Sequence, residues 1–162
     1  MRAQQFRKLL IQAKLGDLPK GLKMADIGCG DGIISKQSAW DFQVAQLDMY
    51  EPYVDEVTEF PQSANMVYNF YKETFDKCEE IYDIVVLSEA LHHITNPEVI
   101  MKRVGKCLSK TGFIIFREHH IKEGKEGVYQ RLFCDVCDKL WSYALTGEED
   151  GYDPRKMADC EK

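Results

Sequence analysis

Asp26-Ile27-Gly28-Cys29-Gly30-Asp31-Gly32 sets three glycines at every second position, in company with two carboxylates. Met24, Ala25 and Ile27 form a short apolar run leading into it, and Ile33 and Ile34 reopen an apolar pattern behind it. That order predicts a buried parallel strand, a turn of bare backbone and a helix. Main chain can approach a ligand closely there, because no side chain stands in the way. A nucleotide-like cofactor is the natural occupant, and the spacing narrows its chemistry. A dinucleotide fingerprint is G-x-G-x-x-G with a pyrophosphate on the helix N-terminus. Counted from Gly28, the third glycine comes one residue early, at Gly32, and Ile33 fills the place reserved for it. Asp26 and Asp31 would repel a phosphate and attract a cationic amino-acid group. The turn favours a cationic ligand over a diphosphate, which argues against a nicotinamide oxidoreductase. Asp48 lies about 20 residues beyond Gly28, the interval at which nucleotide folds place an acid for the ribose hydroxyls.

A second set of reactive side chains follows Ile84-Val85-Val86-Leu87, an unbroken apolar run that predicts a buried fourth strand over 82–88. Ser88, Glu89, His92 and His93 come directly or shortly after it. Arg117, Glu118, His119 and His120 come directly after a predicted fifth strand over 113–116. Open α/β sheets bind ligands outside the carboxyl ends of their strands, so both sets are expected to border one cleft. A histidine titrates near neutrality and can take a proton from an attacking hydroxyl. His119 and His93 lead as candidate bases, with Glu89, His92 and His120 behind them. The alternative for each is a hydrogen-bonded supporting group.

ADIGCGDG resembles the cofactor loop of class I S-adenosylmethionine-dependent methyltransferases, and DIVVLSEALHHITNP resembles the segment after their fourth strand. The likeness extends over roughly residues 23–120. It implies an α/β fold with a Rossmann-like sheet, mostly parallel with flanking helices. It also implies S-adenosyl-L-methionine as cofactor and methyl transfer to a small-molecule or other nucleophilic acceptor. By the same resemblance, Asp26, Gly28, Cys29, Gly30 and Gly32 wrap the methionine part and Asp48 holds the ribose. Met49 then packs on the adenine, Asn69 reads its amino group, and Ser88 borders the methyl donor. Displacement at a sulfonium methyl needs positioning and exclusion of water more than a fixed dyad. The heat-shock type of 2′-O-methyltransferase carries a Lys-Asp-Lys-Glu set, with its Asp after the fourth strand and a Lys at the fifth. Here Ser88-Glu89 and Arg117 stand instead, which disfavours that mechanism. Arg117-Glu118-His119 followed by an aromatic-rich helix is similar to methyltransferase domains of some viral replication proteins. An RNA or RNA-cap acceptor is therefore the second expectation, and a non-catalytic scaffold the third.

Elements must carry these groups. Periodicity predicts a helix over 33–40, a strand over 42–48, a short acidic helix over 53–60 and a third strand over 65–70. A helix over 98–108 and a turn at 110–112 follow. Residues 2–15 have Phe6, Leu9, Leu10 and Ala13 on one helical face. Gly124 and Gly127 suggest a lid loop before a helix over 128–145. One domain over 1–162 is expected: 1–21 as N-terminal helix and linker, 22–145 as core, 146–162 as polar tail. The sequence after the last predicted helix carries no pattern for the last two strands of the resembling fold, so a shortened domain or a fragment is expected. A partner chain, a partner domain or the last helix would then cover the edge at the fifth strand.

Composition sets the outer bounds. The chain has 162 residues, 44% of them hydrophobic, which suits one domain with a sizeable core. No run approaches a membrane span, and the N-terminus is too charged for a secretory signal, so a cytoplasmic protein is expected. A net charge of −6 opposes a basic coat for nucleic acid, though it leaves room for a local basic groove. The six cysteines are scattered. Cys134 and Cys137 form a C-x-x-C that His119 and His120 could complete as a zinc set. They lie in a helical apolar pattern, so core thiols and no metal are expected.

Overall fold

The computed structural model describes residues 19–59 and 66–118, all within the compact unit that ends at Glu118. The strands are β1 (Lys23–Ile27), β2 (Gln46–Tyr50), β3 (Val67–Tyr71), β4 (Tyr82–Ser88) and β5 (Leu108–Arg117). They form one sheet in the order β3-β2-β1-β4-β5, and every neighbouring pair is parallel. Parallel strands need crossovers, and α1 (Ile33–Phe42) and α2 (Pro97–Cys107) provide two of them. The expected N-terminal helix, lid loop, last helix, C-x-x-C and polar tail lie outside the described residues, as do His119 and His120.

Side chains alternate across each strand, which sorts the core into two layers. Met24, Leu47, Met49, Ile84 and Val86 face Ala39 and Phe42 of α1. Ala25, Ile27, Tyr50, Val85 and Leu87 face Ile100, Val104 and Cys107 of α2, together with Phe75 and Cys78. The central strands are buried on both faces, which is why β4 reads as a continuous apolar run. The strand order reverses between β1 and β4. At this switch point a parallel sheet leaves its main crevice, and the turns after β1 and β4 flank it.

Three stretches differ most from the sequence expectation. Residue 42 was expected to open the second strand, yet Phe42 closes α1 and the strand starts at Gln46 and runs on to Tyr50. Gln43, at φ 54°, ends the helix in a left-handed conformation without the usual glycine, so the stop leaves no signal in the sequence. No helix forms over 51–59. That acidic segment runs across the glycine turn instead: Thr58 N–H donates to Asp31 O at 2.9 Å, and the Lys36 amine donates to Thr58 O. The expected turn at 110–112 falls inside β5. There the register jumps, Tyr82 pairing with Leu108 and Ile84 with Phe113, so the turn residues are taken up by a bulge.

Candidate functional site

The glycine turn sits at the carboxyl end of β1, and three of its residues occupy the left-handed region: Gly28 at φ 73°, Gly30 at 55° and Gly32 at 74°. Backbone conformation disfavours side chains at all three, and sterics exclude one at Gly28 and crowd one at Gly32. A Cβ on Gly28 would stand 2.6 Å from Ala90 Cβ, and one on Gly32 would stand 3.1 Å from Met49 Sδ. The turn is pinned from β2, where Tyr50 O accepts the Gly28 N–H at 2.8 Å. Glu51, just beyond β2 and only 9% exposed, then reaches across. Its Oε2 accepts the Gly30 N–H at 3.2 Å and its Oε1 accepts the Tyr53 N–H at 3.0 Å.

Asp26 lies beneath the turn and is 3% exposed. Ser35 Oγ donates to its Oδ2 at 2.6 Å, while its Oδ1 is buried with no hydrogen-bond partner among the described residues. Burial raises its pKa from 3.8 to about 6, against the pull of the Ser35 bond and with a further push from Glu51. A buried carboxylate oxygen without a donor is costly, and a ligand cation or ammonium beside it would relieve the cost. Cys29, beside it, is held as the thiol: burial first, then the charges of Asp26 and Glu51, push its pKa well up, which removes it as a nucleophile.

The sign of the Asp26 effect gives a prediction. The folded protein keeps this proton to higher pH than the unfolded chain, so stability falls as pH rises from about 4 to about 6 and stays lower above. A shift of about two units corresponds to roughly 3 kcal/mol. Ligand-free Asp26→Asn is expected to be more stable than wild type by about 1–3 kcal/mol at pH 8 and no more stable below pH 4. Urea unfolding at both pH values measures this. An advantage that did not depend on pH would remove the carboxyl charge as its cause.

Asp48 is not at the turn. Its register partner on β1 is Ala25, and it is fully buried inside the sheet on the face of Tyr50 and Tyr82. Three donors converge on it: Tyr82 OH at 2.7 Å, Asn69 Nδ2 at 2.8 Å and Gln46 Nε2 at 2.8 Å. Burial drives the pKa of Tyr82 strongly up, so the phenol keeps the proton that it donates. Asn69 is thereby committed to Asp48 within the sheet rather than presented beyond β3. Met49 is fully buried with Met24, Leu47 and Val86, directly under Gly32. These three placements have one cause: β2 runs on to Tyr50, so Asp48 and Met49 are strand interior and the acid at the strand end is Glu51. Glu51-Pro52 could have signalled it, since a proline is a natural place for a strand to stop.

Ser88 ends β4, opposite Arg117 at the end of β5. Glu89 follows at φ 56° and accepts from Arg117 Nη2 at 2.7 Å. His92 meets Glu118, Nδ1 to Oε2, at 2.6 Å, and the His93 ring lies 4.0 Å from that of His92. His93 is exposed. Among the described residues, no group of three or more His, Cys, Asp or Glu is placed to hold a metal ion, and no helix is long and apolar enough to cross a membrane.

Comparison with known proteins adds to this geometry. A family model described as a methyltransferase domain matches residues 2–145. The ubiquinone biosynthesis O-methyltransferase of Shewanella halifaxensis is 30% identical over 101 residues, which cover 59% of this chain and 43% of that protein. The protein of the same name from Rickettsia akari is 25% identical over 97 residues, covering 58% and 39%. The chain spans less than half the length of these curated relatives. Among solved structures, phosphoethanolamine N-methyltransferase 2 of Haemonchus contortus, in complex with S-adenosyl-L-methionine, superposes with a TM-score of 0.55 at 16% identity. That match covers 86% of this chain and 36% of the other, and it is a likeness of fold.

Proposed function

The chain belongs to the methyltransferase domain family, and on that premise we propose that it binds S-adenosylmethionine at the glycine turn and transfers its methyl group to a small-molecule acceptor. The observation that carries this is the buried Asp26 Oδ1, without a hydrogen-bond partner among the described residues, under three left-handed glycines, with the Glu51 carboxylate on the same turn. These residues fit a ligand with a cationic amino-acid end and a hydroxyl-bearing sugar. When bound, the cofactor supplies the electrophilic methyl carbon and a neutral thioether leaving group.

The chain's own residues bind, orient and exclude water. The backbone of Gly28, Cys29, Gly30 and Gly32 takes the methionine end, with Asp26 toward its ammonium. Glu51 takes the ribose hydroxyls, the role that spacing alone gives to Asp48. Tyr53 is 66% exposed and tied through its N–H to Glu51, which makes it the apolar surface for the adenine in place of Met49. Ser88 borders the reacting centre from the end of β4. His93, exposed on the next turn, takes the proton of a hydroxyl acceptor, while Glu89 is engaged by Arg117. His119 keeps its proposed role as a second base, outside the described residues.

The relatives' name, an O-methyltransferase of ubiquinone biosynthesis, makes a hydroxyl oxygen the acceptor class to try first. The net charge of −6 weighs against an RNA acceptor. Calorimetric titration of the full chain tests the cofactor reading. Saturable heat with S-adenosylmethionine at about micromolar Kd is expected, with a thermal shift worth roughly 2–3 kcal/mol at a hundredfold excess over Kd, and no heat with NAD. Silence toward S-adenosylmethionine at millimolar concentration would leave the inert scaffold as the better account.

A further inference from the structure

Two polar bridges tie the exit of β5 to the turn after β4. Arg117 Nη2 donates to Glu89 Oε1 at 2.7 Å, and the Glu89 N–H donates back to Arg117 O at 2.7 Å. One residue further, Glu118 Oε1 accepts the Leu91 N–H at 2.7 Å, and its Oε2 meets His92 Nδ1 at 2.6 Å. The sequence places Arg117 and Glu118 toward substrate; the structure turns both onto the neighbouring turn. All four side chains are about a quarter exposed or less, where charge-assisted hydrogen bonds are screened less than on open surface.

The turn they hold is one that needs holding. Glu89 sits at φ 56°, a left-handed conformation that costs a non-glycine residue on the order of 1 kcal/mol. Ala90, the next residue, is buried and occupies the space where a Gly28 side chain would stand, its Cβ 2.6 Å from that position. The turn after β4 is therefore the wall against which the glycine backbone rests, at the switch point of the sheet.

We propose that Arg117 and Glu118 are positioning residues of the methyl-transfer site. By fixing the turn after β4 they keep Ala90 against Gly28, and so hold the glycine turn in the shape that receives the cofactor. They act at one remove, through Ala90, and the inference rests on the reading of the glycine turn as the S-adenosylmethionine site.

Amide hydrogen exchange on the ligand-free full chain tests the bridge, and titration tests its consequence. Glu118→Ala is expected to speed exchange at Gly28 and Cys29 by about tenfold or more, while Leu47 and Met49 in β2 keep wild-type rates. The same variant binds S-adenosylmethionine about tenfold more weakly. Glu118→Gln keeps an acceptor for the Leu91 N–H and restores both values to within about threefold of wild type. Unchanged exchange at Gly28 in Glu118→Ala overturns the proposal, and so does a Glu118→Gln that behaves like alanine. Loss of protection throughout the sheet, or failure of Glu118→Ala to fold, also overturns it, because the bridge would then serve global stability. A wild type that binds no S-adenosylmethionine sinks the reading of the turn, while the exchange data still judge the bridge.

Discussion

Glu51→Ala is expected to lower the affinity for S-adenosylmethionine by about 10- to 100-fold while costing the fold only about 1 kcal/mol. The asymmetry follows from position. Glu51 lies past the end of β2, and among the described residues it bonds two backbone N–H groups, Gly30 and Tyr53, on chain that water can reach. Water can satisfy those donors when the carboxylate is gone. Two ribose hydroxyls lose a charged bidentate acceptor, which water replaces only in part. Titration calorimetry paired with urea unfolding separates the two quantities. Undiminished affinity in Glu51→Ala would remove it from the ribose role.

Asp48→Ala should show the converse: a loss of roughly 3 kcal/mol or more in stability, with cofactor affinity of the folded protein changed less than about threefold. The alanine leaves Tyr82 OH, Asn69 Nδ2 and Gln46 Nε2 without their common acceptor. The Tyr82 hydroxyl is fully buried and cannot turn to water for relief. Its second partner, Tyr50 OH at 3.0 Å, also bonds Cys78 Sγ, so the disturbance spreads into the α2 side of the core. Asp48→Asn retains an acceptor and should recover most of the stability. The two acids thus make a paired test. If Asp48→Ala abolished binding in a protein that still melted cooperatively, and Glu51→Ala did not, the ribose role would return to Asp48.

The pair also shows where sequence stops being informative. Spacing put an acid about 20 residues past the first glycine, and both Asp48 and Glu51 lie near that interval. One-dimensional distance cannot choose between them, because the choice depends on where β2 ends. That end is set by parallel pairing, Ile27 with Tyr50 on one side and Tyr50 with Tyr71 on the other. A two-residue shift in where the strand ends puts Asp48 in the core and Glu51 beside the glycine turn. Likewise, the start of β2 was hidden because α1 stops on Gln43, a residue with no helix-stopping chemistry of its own.

What the sequence by itself determined is local. The strand-glycine-helix unit over residues 23–42 is legible because only glycine takes three left-handed positions so close together. The buried β4 is legible because a strand covered on both faces must be apolar throughout, and the alternation of strands and helices calls for a parallel sheet. The tertiary structure alone decided which carboxylate meets the turn and which is spent inside the sheet. It also decided that Arg117 and Glu118 turn toward Glu89, Leu91 and His92. Those outcomes depend on register and on contacts between strands far apart in the chain. Two acids of similar chemistry, three residues apart, differ in role only through the surroundings that folding gives them.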